Sequence, residues 1–196
     1  MVKNFSDLDL NGTYTYADYL LWQFEEVVEL IKGKIYLMSP APKRKHQKIS
    51  TQLQRRLYKF LEAQTCEVYN APFDVRLPNP DYKPGNNKKV FTVVQPDICV
   101  ICDASKLDDN GCVGPPEFII EITSPSTSKK DFNEKYYLYE SAGVNEYWIV
   151  VPEMDTVYTF FLENGKYTQT GFYEKEGTAI SSQFPHFQVI IQEIFA

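Results

Sequence analysis

The sequence predicts an α+β protein, a mixed central β-sheet flanked by helices whose elements run helix, three strands, helix, strand. Three observations predict it. The stretch KRKHQKISTQLQRRLYKFL has the apolar spacing of a long amphipathic helix. The runs VVQPDICVIC, PEFIIEITSP and EYWIVV are rich in β-branched residues and read as buried strands. A second helical stretch separates the last two of these strands, which gives the order helix, three strands, helix, strand.

Taken in order, a short helix is expected around Tyr16 to Phe24 and then the hairpin EVVELIKGKIYLM, in which Gly33 makes the turn. From Lys43 to Leu61, the residues Ile49, Leu53, Leu57 and Leu61 recur every four and form the buried stripe of the long helix. Strands follow near Cys66 to Asn70 and Phe73 to Leu77. In VVQPDICVIC, alternation puts Asp97, Cys99 and Ile101 on one face and Ile98, Val100 and Cys102 on the other. The polar, turn-rich ASKLDDNGCVGPPE reads as a connecting loop, after which Glu121 shares a face with Ile119 and Thr123. Ser126 or Ser128 caps a helix from about Lys130 to Ala142, Gly143 stops it, and the strand Glu146 to Val151 follows. Beyond Pro152, Asn164-Gly165 marks a hairpin that extends the sheet or offers a dimer surface, with its aromatics used for packing. The whole chain, 1–196, is expected to be one domain, with a core at about 26–152 and a C-terminal hairpin extension at 153–196.

Composition sets the outer bounds. With 43% hydrophobic and 15% aromatic residues the chain can bury one sizeable core, which excludes disorder. No basic segment leads into an apolar stretch at the N-terminus and no apolar run approaches membrane-spanning length, so a cytoplasmic protein without a membrane partner is expected. The four cysteines are expected to be reduced thiols. Cys99 and Cys102 spell C-x-x-C but fall on opposite faces of a strand, and no second such pair follows, so zinc is not expected.

The chemistry concentrates on carboxylates in apolar strands. Asp97 and Glu121 stand on neighbouring strands that read as buried on both faces, where an ionised carboxylate is costly without a partner. A hard divalent cation is such a partner, and oxygen ligands suit Mg²⁺ or Mn²⁺. The plainer alternative is that each carboxylate caps a strand end or pairs with a Lys or Arg. On the following helix Asp131 and Lys135 are one turn apart, with Leu138 and Tyr139 continuing that face, so Lys135 can reach back over the carboxylates. Its alternative is an ordinary surface ion pair with Asp131, worth under about 1 kcal/mol. His46 lies on the inward side of the first turn of the long helix, where a hydrogen-bonded core histidine is the usual outcome. Glu29, between apolar neighbours in its hairpin, has the alternative of simply facing solvent.

The net charge of −6 is unfavourable for binding phosphates, but its distribution is uneven. The segment Lys43 to Leu61 contains no acidic residue, and Lys45, Lys48, Arg55, Arg56 and Lys59 take the face opposite the apolar stripe. Such a face is usually just solvated; beside a carboxylate site it becomes a phosphate rail. The loop NPDYKPGNNKK is a second, weaker basic element.

These residues together resemble the PD-(D/E)xK nuclease superfamily and, within it, the bacterial Uma family of restriction-endonuclease-like proteins. The resemblance rests on Glu29, Pro40, His46, Gln95-Pro96-Asp97, Glu121-Ile122-Thr123-Ser124-Pro125-Ser126, Asp131, Lys135, Tyr139, Gly143, Val144 and Glu146-Tyr147-Trp148, over roughly residues 15 to 155. It implies the restriction-endonuclease-like αβββαβ core. It also implies a metal site made by Asp97, Glu121 and the backbone carbonyl of Ile122, with Mg²⁺ or Mn²⁺ as cofactor. Glu29 and His46 are implied as auxiliary residues beside it. The chain departs from the superfamily pattern at one place: the lysine expected two positions after the glutamate is Thr123, and the resemblance then implies that Lys135 has taken over its role. The expected activity is metal-dependent hydrolysis of phosphodiester bonds in DNA, by a homodimer. The alternative is a catalytically degenerate relative that serves as a nucleic-acid-binding or dimeric interaction module.

Overall fold

The computed structural model describes residues 1–196 apart from 39–41, 80–82 and 84. Pro40 and part of the NPDYKPGNNKK loop therefore lie outside the described residues. In chain order the elements are α1 (Tyr16–Tyr19), β1 (Val28–Ile31), β2 (Lys34–Leu37), α2 (Arg44–Leu61), β3 (Glu67–Asn70), β4 (Val75–Arg76), β5 (Val93–Val94), β6 (Ile98–Ile101), β7 (Leu107–Asp108), β8 (Gly111–Val113) and β9 (Phe118–Ile122). An unbroken helical run, α3, occupies 128–142 and contains a π turn at Asp131–Lys135. Then come β10 (Glu146–Val151), β11 (Thr156–Glu163), β12 (Lys166–Tyr173), β13 (Thr178–Ile180), β14 (Gln188–Ile190) and α4 (Ile191–Phe195).

The main sheet has the order β12-β11-β10-β9-β6-β3, and β9 and β10 are its parallel pair, joined by α3. One face is covered by α2, whose Ile49, Leu53, Leu57 and Leu61 meet Ile98, Val100, Phe118, Ile120 and Trp148. The opposite face, bearing Cys99, Ile101, Ile119 and Ile149, is covered by α3 and by a second sheet of order β2-β1-β5-β4-β8-β7. This is the expected α+β arrangement with a mixed sheet between helices. The alternation read from VVQPDICVIC also holds, since Cys99 and Ile101 enter one core and Ile98 and Val100 the other. None of the described helices is long and apolar enough to cross a membrane.

Several local expectations are corrected. The first helix is opened by a reciprocal capping box between Thr15 and Asp18 but spans only the single turn Tyr16–Tyr19 before the chain leaves toward Trp22. The strand expected at Phe73 to Leu77 is reduced to β4 and belongs to the second sheet. The supposed connecting loop contains β7 and β8, which complete that sheet by parallel pairing of β8 with β4. Cysteine is the clearest correction. Cys66 and Cys102 form a disulfide, because the antiparallel register of β3 and β6 pairs Glu67 with Ile101 and brings the next residues outward face to face. Cys99 and Cys112 remain free and buried. Helix α3 begins at Ser128 after Thr127, and no side-chain cap from Ser126 or Ser128 starts it. Gly143 ends it with φ of 88°, the left-handed conformation in which glycine carries no Cβ penalty. The hairpin at Asn164-Gly165 extends the main sheet, as one of its two expected placements.

Candidate metal-carboxylate site

Four elements converge on the strand carboxylates. Glu121 is near the end of β9 and only 4% exposed, and its Oε1 accepts hydrogen bonds from Lys135 Nζ and Tyr139 OH, each at 2.7 Å. Lys135 Nζ also lies 2.9 Å from Glu29 Oε1, so one ammonium bridges two carboxylates from different sheets. Glu29, 1% exposed in β1, accepts from the backbone N–H of Gln95 at 3.0 Å and pairs through Oε2 with Lys130. Asp97, just before β6, accepts at Oδ2 from the Ile122 backbone N–H at 2.7 Å, and His46 Nε2 lies 3.2 Å from the same oxygen. Asp97, Glu121, Ile122, Lys135, Glu29 and His46 are thus gathered at one place, and the surface-pair alternative for Lys135 does not describe a side chain that is 4% exposed.

The π turn explains how one helix supplies two lysines to one carboxylate. At about 100° per residue, positions five apart point to widely different sides of an α-helix. In a π turn, where hydrogen bonds run from i to i+5, they come nearly into line. Lys130 and Lys135 are five apart across that turn, and both reach Glu29. Asp131 is buried alongside them, and its backbone carbonyl accepts from Tyr147 OH at 3.1 Å. Tyr139, already on the Asp131-Lys135 face of the helix in the sequence, acquires a role at Glu121 that its position alone did not state. Lys130 was missed, because no α-helical pattern puts it on the same face as Lys135.

Electrostatics follow from this crowding. Burial pushes Glu121 up to about 8, against the opposing pull of Lys135, and Asp131, Asp97 and Glu29 add to the rise. Burial likewise lifts Asp131 to about 6. Burial alone would lower Lys135, but Glu121, Glu29 and Asp131 hold it well above its ordinary value, as an ammonium. Burial would raise Glu29, yet Lys135 and Lys130 keep it below the usual carboxylate range. At His46 burial lowers the pKa, and the hydrogen bond and charge of Asp97 overcome it, so the net shift is upward.

Among the described residues no group of three or more His, Cys, Asp or Glu side chains forms a ready-made metal cage. A Mg²⁺ or Mn²⁺ ion does not need one, since it binds through one or two carboxylates and keeps several waters. The donor set fits such an ion on charge. Burial first, and then the charges of Asp131, Asp97 and Glu29, disfavour the ionised form of Glu121, which a bound divalent cation would favour. Each candidate ligand also accepts its protein hydrogen bonds on one oxygen, Oδ2 of Asp97 and Oε1 of Glu121.

The basic face of α2 is divided. Lys45 pairs with Asp155 at 2.8 Å and donates to the Pro152 carbonyl, and Arg56 pairs with Glu193 at 2.7 Å. These two fasten α2 to the C-terminal part of the chain, whereas Lys48, Arg55 and Lys59 are exposed.

A family model described as Uma2, putative restriction endonuclease, matches residues 16–192. An uncharacterized protein, slr1290, of Synechocystis sp. is 28% identical over 124 residues, which is 62% of this chain and 60% of that protein. The chain thus spans about 60% of the length of the curated relative it matches. The crystal structure of a putative nuclease belonging to DUF820 from Anabaena variabilis superposes with a TM-score of 0.71 at 19% identity, covering 93% of this chain and 97% of that one. That likeness is one of fold.

Proposed function

The chain belongs to the Uma2 family, described as putative restriction endonuclease, and from that premise we propose that it is a metal-dependent endonuclease that hydrolyses phosphodiester bonds in DNA. The observation that carries the proposal is the Lys135 ammonium bridging Glu121 and Glu29 beside Asp97. Asp97, Glu121 and the Ile122 carbonyl would hold Mg²⁺ or Mn²⁺, which supplies Lewis-acid charge at the scissile phosphate. Lys135, kept protonated by its two carboxylate partners, donates hydrogen bonds that orient the attacking water and offset charge on the phosphorane-like transition state. Tyr139 fixes the Glu121 carboxylate through the same oxygen as Lys135, and His46 fixes Asp97. Glu29 anchors Lys135, and Lys130 anchors Glu29 in turn. Lys48, Arg55 and Lys59 contact backbone phosphates along α2, joined by Lys45 and Arg56 where their internal pairs exchange for phosphate. A homodimer cuts both strands with one site per strand.

The test is cleavage of supercoiled and linear DNA in Mg²⁺, Mn²⁺ or EDTA. Asp97→Ala, Glu121→Ala and Lys135→Ala are compared with wild type at matched circular dichroism. Metal-dependent cutting that falls by roughly a hundredfold or more in each variant is the expected result. Cutting that survives Asp97→Ala and Glu121→Ala overturns the proposal. A second reading, the catalytically degenerate binding module, is favoured by one observation: Thr123 stands two residues after Glu121 with its buried hydroxyl unpartnered among the described residues. A Mg²⁺-dependent rise in melting temperature without any cutting is its signature.

A further inference from the structure

Gln95 precedes the Pro96-Asp97 pair, and none of the roles above uses its side chain. That side chain is 7% exposed and lines a cavity of about 540 Å³, a size within the range of small-molecule sites of about 300–1,000 Å³. Its Nε2 donates to Asp74 Oδ1 at 2.8 Å, while its Oε1 is buried without a hydrogen-bond partner among the described residues. Among its lining residues Tyr69 and Phe73 stack with ring centroids 4.1 Å apart and planes 12° from parallel. Asp74, Asp109 and Asn110 supply further oxygen acceptors on the wall. The cavity adjoins the candidate metal site through the backbone. The Gln95 N–H donates to Glu29, and the Ala71 N–H, from the segment between Tyr69 and Phe73, donates to the Asp97 carbonyl at 3.3 Å.

We propose that this cavity binds an unstacked nucleobase carrying an exocyclic amine, adenine, cytosine or guanine but not thymine, next to the bond to be cut. The inference rests on the reading of the neighbouring site as a nuclease. An aromatic pair offers a flat stacking surface that every base can use. The acceptor-rich wall then selects by hydrogen bonding, because the carboxylates of Asp74 and Asp109 accept from an amine and repel a phosphate. A thymine brings a carbonyl oxygen where the amine of adenine or cytosine would stand, and that oxygen faces the carboxylates of Asp74 and Asp109 instead.

The test measures binding of fluorescently labelled single-stranded oligo(dA), oligo(dC) and oligo(dT) in EDTA, so that no cleavage intervenes. Wild type is compared with Asp74→Asn, Asp109→Asn and Phe73→Leu, each checked by thermal melting. Roughly tenfold tighter binding of oligo(dA) and oligo(dC) than of oligo(dT) is expected. Asp74→Asn should erase the difference, and Asp109→Asn and Phe73→Leu should weaken it. If Asp74→Asn does not fold, the exposed Asp109 and the ring of Phe73 carry the comparison. Base-blind binding, or a preference that survives the variants, overturns the base pocket and leaves the nuclease reading standing. Failure of every oligonucleotide to bind, joined by failure to cut DNA in Mg²⁺, overturns both.

Discussion

At the scale of single residues, the candidate site is an exchange among buried charges, and its supports are measurable without activity. Tyr139 donates one of two hydrogen bonds to Glu121 Oε1 from a fully buried position. Tyr139→Phe keeps the ring and removes the donor, so it should lower unfolding free energy by about 1–3 kcal/mol in urea titrations. A loss near zero would mean that Glu121 is held by Lys135 alone. Arg76 is 3% exposed, lies over the Tyr16 ring at 5.0 Å and pairs with Asp108, whose carboxyl its guanidinium holds below the ordinary value. A depressed carboxylate stabilises the fold above the unfolded pKa, near 4, and that contribution disappears as pH falls through the lower folded value. The stability gap between wild type and Asp108→Asn should therefore be present at pH 6 and close in stronger acid, as read from urea midpoints. A gap that widens in acid contradicts the assignment. The alternation of β6 and the Asp97-Glu121 pair were legible at this scale because strand faces follow a period of two. Lys130 was not, because its alignment with Lys135 needs the π turn.

At the scale of elements, two devices place the site. The first is that turn in α3. Deleting Asn133, an exposed residue of the turn, converts it to an α-helical turn and leaves Lys130 and Lys135 four positions apart, the spacing that puts two residues on one face of an α-helix. Lys130 and Lys135 should then still share Glu29. Helical circular dichroism and cleavage should both persist, and lost cleavage would show that the π turn itself is needed. The second device is Glu146 in β10, fully buried on the face opposite Glu121. It accepts from Trp148 Nε1 at 2.7 Å, Ser182 N at 3.0 Å and Gln183 N at 2.9 Å, and also from Ser181. This carboxylate clasps the segment that leads to β14 and α4. Glu146→Ala leaves several buried donors without an acceptor and should cost about 3 kcal/mol or more, measured by urea unfolding. A cost below 1 kcal/mol would mean that water replaces the clasp. The sequence marked Glu146 only as one residue of a resemblance, since the loop that it holds is 35 residues or more further along the chain.

At the scale of the whole molecule, the disulfide closes a loop with a sequence separation of 36. On a chain-entropy basis that closure is worth roughly 4 kcal/mol. Cys66→Ser together with Cys102→Ser, or reduction with dithiothreitol, should lower the melting temperature by several degrees; unchanged melting would mean that the two sulfurs are not bonded in solution. The second sheet is the other whole-molecule feature. It carries Glu29 to the site from β1 and completes itself with β7 and β8.

The sequence by itself determined the main helices and strands, the faces of the apolar strands and the buried stripe of α2. Local propensity and short-range period are enough for these. Only the tertiary structure decided that Lys135 bridges Glu29 and Glu121, that Cys66 meets Cys102, that β4, β5 and β8 belong to a second sheet, and that Gln95 faces a cavity. Those outcomes depend on pairing register and crossings between segments far apart in the chain, where burial outweighs local preference.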